Sequence, residues 1–287
     1  KEGKYFVAGE PAALDSLKAL GVNLLALCDN HSFDMGPDGI LATREEVKRR
    51  GFVPAGTGAN ISEASAPAYL ETQHGTVALI AMASGGLDPR APATQSRPGV
   101  NELRVDGKGT LNPDDARRNL EAIARASSEA EYVLVYQHSH YWEADWQDTP
   151  RWQQEFARLC IDAGATAFCG HGAPLLHGIE MYRSCPIFYS LGNFIFQLYP
   201  DETYGQQVVW ESVMADARFR RGALASLYLH PIVLNKEIPG DQICERTGLP
   251  SLAEGSAARS ILERVAGLSR KLGTNVNVAD TYGQVEM

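Results

Sequence analysis

Long apolar runs are what this chain lacks first. In 287 residues no stretch of about 18 apolar residues occurs, so the sequence offers no transmembrane helix. No signal peptide is visible either. Cysteine is scarce: Cys28, Cys160, Cys169, Cys185 and Cys244 make an odd number with no CxxC pair, which excludes a disulfide framework and a zinc knuckle. Cys28 and Cys169 close strand-like runs, where a packing role is expected. Positive charge is also short, with Lys+Arg 26 against Asp+Glu 35 and a net charge of −9. Phosphate binding needs a basic surface, so nucleic acid is not an expected partner. A polyanionic substrate would need Lys and Arg gathered locally at its cleft. Repeats and low-complexity tracts are absent, and the 44% hydrophobic and 21% charged content is ordinary for a soluble globular chain. One large domain, or one with a small appendage, is the expectation.

What is present centres on Gly164–Phe196. An apolar run, Thr166–Cys169, ends in Gly170-His171-Gly172, and a second run, Ile187–Leu191, ends in Gly192-Asn193. A buried strand that stops at Gly-His-Gly presents its imidazole at the carboxyl end, where open α/β sheets build their sites. Two other stretches share this grammar. Val22–Leu27 runs into Cys28-Asp29-Asn30-His31, and Tyr132–Tyr136 runs into Gln137-His138-Ser139-His140. Of the seven histidines, His31, His138, His140, His171 and His177 lie in or just beyond these three loops. Imidazole with Asn or Asp oxygen is the ligand set of a Zn, Mn or Fe site. Because alternate residues of a strand point to opposite faces, His138 and His140 are expected to reach one metal only if the segment is no longer a strand there.

The remaining pattern supplies the frame. Leu14, Leu17 and Leu20 stand at helical spacing before Gly21, and Ile40–Arg50 reads as an amphipathic helix closed by Gly51. Ala68–Thr72 and Thr76–Ala83 read as a hairpin with His74 in its exposed turn. Gly85–Gly109 is expected as a long loop, with Arg90, Arg97 and Arg104 either solvated or clamping substrate carboxylates. Asn112-Pro113 opens a helix to about Ser127. Tyr141, Trp142 and Trp146, interleaved with Glu143, Asp145 and Asp148, either line a pocket or pack. Gln206–Met214 and Gly222–Leu229 read as antiparallel strands joined at Arg220-Arg221-Gly222. Ser251–Glu254 reads as a capping box before a final helix ending at Gly273, and Thr274–Met287 reads as a polar tail.

The motifs resemble a known family. DNHSFDMGPDG (from Asp29) is similar to the NNHxxDxG motif of the CapA family, the poly-γ-glutamate capsule biosynthesis proteins. IEMYRSCPIFYSLGNFIF (from Ile179) resembles its IExYxxxPIFYSLGNFxF block, and GHGAPLLHGIE (from Gly170) stands where the family has GHHPHVLQGIE. The resemblance runs from about Lys4 to Phe196. It implies an α/β fold, a metallophosphatase-like two-sheet sandwich flanked by helices (α-β-β-α). Residues 1–235 would form that domain, its first strand either lying outside the sequence given or lacking in this member, and 236–287 a helical extension packed on it. The departures are specific. Asp29 replaces the first Asn, Pro174 falls on a family His and cannot ligate, His177 falls on a family Gln, and the family's HWG is replaced by Gln137–His140.

Function follows from the resemblance as expectation. It implies one or two divalent metal ions (Mn, Zn or Fe), with Asn30, His171 and His138 or His140 as ligands. His31 is then the general acid, and Asp34 either orients it or is structural. Arg90, Trp142 and Asn193 are candidates for substrate contact, although Asn193 equally suits a backbone-bonding turn. The expected partner is a peptide or polyglutamate-like anionic substrate. Membrane contact is expected only through a segment not present here, in the bacterial cell envelope or cytoplasm. Poly-γ-glutamate synthesis, hydrolysis of an amide or phosphoester, and peptide epimerisation all remain open. So does a non-catalytic assembly or binding module that has lost the metal centre.

Overall fold

The structure, a computed structural model, describes residues 9–196, 207–236 and 247–287. It separates into two compact units. The first comprises Lys1–Tyr141 and Arg151–Phe168, and the second Trp142–Pro150 and Cys169–Met287. Cys244 and the expected first residue of the Gln206–Met214 strand lie outside the described residues.

In the first unit, helix α1 (Ala13–Ala19) leads into strand β1 (Leu24–Ala26). Helix α2 (Gly36–Arg49) then returns the chain to β2 (Val53–Ala55), which pairs parallel with β1. The helix thus begins at Gly36, ahead of the expected Ile40, with Pro37 tolerated in the first turn, where no N–H partner is lost. α2 buries Ile40, Arg44 and Val47, an i, i+4, i+7 stripe. Next come β3 (Thr57–Gly58), α3 (Ile61–Ala64), β4 (Ala68–Thr72) and β5 (Gly75–Ser84), the last two forming the expected hairpin. β6 (Gly99–Val100) pairs with β3, so the Gly85–Gly109 segment is not wholly irregular. α4 (Pro113–Glu129), capped by the Asn112 side chain on the N–H groups of Asp114 and Asp115, leads to β7 (Tyr132–Ser139) and then α5 (Arg151–Asp162).

These elements stack in four layers. α2 covers β2 and β3, the β1-β2 ribbon packs on β4 and β5, and α4 covers the far side of β5 and β7. The α-β-β-α order is thus observed within this unit. Strand parity explains it. Leu79, Ala81 and Ala83 of β5 join Leu134 and Tyr136 of β7 in one cluster with Cys28, Phe33, Ile40 and Ala55 between the sheets. β5 and β7 run parallel, with Ala83 opposite His138, so both end at the same sheet edge.

Strand β8 (Ala167–His171) carries the chain from the first unit into the second. The second unit holds the hairpin β9 (Ile179–Tyr182) and β10 (Cys185–Phe188). Its long ribbon, β11 (Glu211–Arg220) and β12 (Ala223–Leu234), turns at Arg221 and Gly222, both at positive φ. β13 (Pro250–Leu252), α6 (Gly255–Arg270), β14 (Val276–Val278) and β15 (Gly283–Val285) complete it. α6 buries Ala258, Ile261, Leu262, Val265 and Leu268 against β11, β12 and β14.

Two local expectations are corrected here. Ser251 is paired in β13 opposite Val233, and the helix cap is Glu254 with no side-chain hydrogen bond, so no capping box forms. Nor is the C-terminal segment a free tail. Val276 and Val285 face one another across β14-β15, and both pack on the apolar cluster under α6. Two valines suffice where an edge strand is waiting to be extended, a signal too short to read as a strand.

Candidate functional site

The Asp29–Asp34 loop is tied to itself. Asp29 Oδ1 accepts the His31 N–H at 2.8 Å and the Ser32 hydroxyl lies 2.8 Å from the same oxygen, an Asx-type turn. Ser32 Oγ also receives the Asp29 N–H at 2.7 Å. Asp29 therefore folds the loop, a role its carboxylate fills at the place where the family motif has Asn. Beneath it, Cys28 is fully buried, and burial drives its thiol pKa well above the ordinary value. Gly56 (φ +89°) approaches so closely that a Cβ there would stand 2.5 Å from Cys28 Sγ.

This turn presents two side chains. His31 Nδ1 lies 2.9 Å from Asp34 Oδ2, so Asp34 orients the imidazole and directs Nε2 outward, with the His31 side chain 42% exposed. Asn30 points the other way, and its Oδ1 stands 3.0 Å from His138 Nε2. His138 is on the inter-sheet face of β7 by the same parity as Leu134 and Tyr136. The His138 and His140 rings stack with centroids 5.0 Å apart and 28° between planes. β7 ends at Ser139, so His140 stands just past the strand, and residues two apart share a face in any case, since only neighbours alternate.

On the opposite face a fully buried polar chain braces the strand. Gln153 Nε2 donates to Gln137 Oε1 at 3.1 Å, and Gln137 Nε2 donates to Ser84 Oγ at 3.0 Å. The Ser84 carbonyl in turn accepts the His140 N–H at 2.8 Å. Sequence reading missed these three residues. The signal was Gln137 inside an otherwise apolar strand, a buried amide that needs partners.

The arginines of the long loop are engaged locally. Arg90 grips Asp88 through Nε (3.0 Å) and Nη2 (2.8 Å), and Arg97 Nη2 donates to the Pro92 carbonyl. Arg104 grips Asp115. Burial pushes the Asp115 carboxyl up, but hydrogen bonds from Arg104 and Arg118 outweigh it and hold it below the usual range. Arg118 also reaches Asn101, which bonds Asn119, so this network ties the loop to α4. Arg90 and Arg104 thus answer carboxylates of the chain itself.

The other candidates belong to the second unit. His171 is the half-buried last residue of β8, followed by Gly172 at φ +117°. Asn193 is buried, and its amide donates to the carbonyls of Pro174 (3.1 Å) and Val209 (3.0 Å). Its amide is therefore a clasp between two backbone segments. His177 does not take the place of the ligand lost at Pro174. Its Nε2 bonds the Trp146 carbonyl at 2.8 Å and its Nδ1 meets Thr149 Oγ1 at 3.2 Å, so both nitrogens are engaged. Burial pushes its pKa down despite the Trp146 carbonyl and the nearby Asp148 and Asp145. Trp142 lies beside Trp146, 37% exposed. Cys169 is half-buried, and loss of solvent around its sulfur pushes the thiol up to about 12.

The first unit can be tested for fit to a metal ion. Two donor atoms each about 2.1 Å from one ion and at right angles stand roughly 3 Å apart, which is the Asn30–His138 spacing. His140 stacks alongside as a third neutral donor. Among the described residues, however, no three His, Cys, Asp or Glu side chains converge as a ligand group. The donor chemistry fits a single ion held by neutral ligands, short of a carboxylate.

Comparisons with known proteins agree with the motifs. The sequence model of the bacterial capsule synthesis protein PGA_cap matches residues 1–198. The chain is 30% identical to the uncharacterized protein y4sH of Sinorhizobium fredii over 377 residues, 99% of this chain and 80% of that one. It is 26% identical to the PGA biosynthesis protein CapA of Bacillus subtilis over 246 residues, covering 84% of this chain and 59% of that one. Against the capsule biosynthesis protein CapA of Bacillus anthracis it is 27% identical over 192 residues, 66% of this chain and 44% of that one. A solved phosphatase structure from Mycoplasma pneumoniae shows a loose likeness, with TM-score 0.42 and 10% identity over 86% of this chain and 78% of that one. Among the described residues no helix is long and apolar enough to cross a membrane.

Proposed function

The chain belongs to the PGA_cap family of bacterial capsule synthesis proteins, and from that membership we propose that its first unit is a metal-dependent catalytic module acting on an amide-linked, polyglutamate-like anionic substrate. The observation that carries this is the pairing of roles on one loop. Asn30 meets His138 through its amide oxygen, while the adjacent His31 is turned outward and held by Asp34. Asn30, His138 and His140 would hold a divalent ion. Such an ion supplies Lewis acidity and lowers the pKa of a bound water toward neutrality. The chain's own part is proton handling and positioning. Asp34 fixes the His31 tautomer, so Nε2 is the atom that gives or takes a proton at the substrate. The Asx turn at Asp29 keeps that ring from swinging away. Neutral ligands leave the ion its full charge, which favours an anionic substrate.

A second reading has its own support. Pro174 stands where the family motif has His, and among the described residues no three His, Cys, Asp or Glu side chains form a ligand group. Both the proline and the lack of a three-residue ligand group favour a binding or assembly module of capsule synthesis. One experiment separates the two. The full chain is purified without chelator, its metal content is measured, and γ-glutamyl-p-nitroanilide and p-nitrophenyl phosphate are offered. About one Mn, Zn or Fe per chain, with turnover that vanishes in His31→Ala but metal that stays, supports the catalytic reading. A folded, metal-free protein that turns over neither probe after Mn, Zn or Fe is added overturns it.

A further inference from the structure

The loop Trp142–Pro150 of the second unit carries a feature that the proposed chemistry does not use. Trp142 and Trp146 pack with ring centroids 4.8 Å apart at 51°, and Trp142 remains 37% exposed. Tryptophan displayed at a surface is a mark of recognition sites, because its large rigid face loses little entropy on binding. The pair is built, not loose. The Trp146 carbonyl accepts a hydrogen bond from His177 Nε2, and Thr149 Oγ1 meets His177 Nδ1, with His177 4% exposed. Asp145 Oδ1 accepts the Gln147 N–H at 3.0 Å and the Asp145 carbonyl accepts the Asp148 N–H, closing the turn. Lys271 Nζ holds Asp148 at 3.2 Å.

Three carboxylates interleave with the pair: Glu143, Asp145 and Asp148. Asp148 is answered by Lys271, whereas neither Glu143 nor Asp145 has an ion pair among the described residues. Both are exposed beside the indoles. A polyglutamate chain would be repelled here, so this surface does not suit the substrate proposed above. A cation is what an indole face and two unanswered carboxylates favour together. The ring quadrupole attracts an ammonium group over its face, and the carboxylates supply the charge and hydrogen-bond acceptors at its rim.

We propose that Trp142 and Trp146, with Glu143 and Asp145, form a recognition surface for the ammonium groups of a lysine-bearing polypeptide segment. A neutral saccharide would stack on the same rings, but it would leave the two carboxylates without purpose. The surface therefore commits this unit to a basic partner.

Tetralysine titrated into the full chain tests this by tryptophan fluorescence. Trp152 and Trp210 are buried, so the response reports chiefly on exposed Trp142 and half-buried Trp146. The expected result is a saturable change that weakens at least about fivefold in Trp142→Ala and in the double variant Glu143→Gln/Asp145→Asn, and that fades in about 0.5 M salt. The charge variant keeps both indoles and removes no buried group, so it remains informative if Trp142→Ala proves unstable. No saturable response to tetralysine overturns the proposal. So does an unchanged affinity in the charge variant, or a tighter response to tetraglutamate or maltotetraose than to tetralysine.

Discussion

Asn30 and His138 are 108 residues apart in the chain, yet the Asn30 amide oxygen and His138 Nε2 stand 3.0 Å apart. The contact joins the loop after β1 to the last turn of β7. It brings the segments that follow β1 and end β7 together.

If that contact marks shared ligands, the two residues are coupled. Asn30→Ala and His138→Ala should each weaken Zn or Mn affinity by about 10–100-fold, the range seen when groups supporting a metal are removed. The double variant should lose much less than the product of the two. Isothermal titration with each metal checks this; losses that simply multiply would mean the residues act apart.

On the proposed catalytic reading Asp34 is a positioning residue, acting through His31, which it meets at 2.9 Å. Asp34→Asn leaves the ring in place but favours the wrong tautomer, because an amide can donate to Nδ1. Turnover should drop about 10–100-fold with KM and metal content little changed. Asp34→Glu should recover part of it. A drop in metal content instead would reassign Asp34 to the metal.

His177 makes stability depend on pH. Its folded pKa is pushed below the ordinary 6.5 by burial, so the unfolded chain takes up the proton first. The stability it carries is whole above about pH 6.5 and drains as pH falls toward the lower folded value. His177→Gln should flatten denaturant midpoints over that acidic window, at a cost of about 1–2 kcal/mol near pH 8 from the imperfectly replaced hydrogen bonds. Parallel slopes in the two proteins would show that another group governs acid stability.

Gly56→Ala should destabilise by about 2–4 kcal/mol, since it combines a left-handed backbone with a methyl pressed on the Cys28 sulfur. Urea midpoints measure it. The double variant Gly56→Ala/Cys28→Ala should recover part of the loss, leaving the backbone share; no recovery would place the whole cost in φ.

Much of this molecule is governed by short-range order that a sequence displays. The Ile40, Arg44, Val47 stripe, the Asn112 cap and the Arg221-Gly222 turn each depend on neighbours within a few residues, and each was legible as such. Asp88 two residues from Arg90 was equally local evidence that this arginine has a partner at home. The identity of the family was carried by the DNHSFDMG and SLGNF motifs, whose residue types are set by close backbone approaches and by chemistry at fixed spacing.

Which side chains meet was decided only by tertiary structure. Nothing near His177 in the chain announces that Trp146 and Thr149 will take both its nitrogens, and nothing near Gln137 announces Ser84 and Gln153. Asn193 likewise became a clasp because Pro174 and Val209 brought their carbonyls to it from either side. Hydrogen-bond partners of buried polar groups are chosen by which elements close around them. That closure is driven by apolar area, which does not specify the polar contacts it traps. The sequence thus determined the strands, their ends and the kinds of side chain placed there. The folded chain alone decided which of those side chains hold one another.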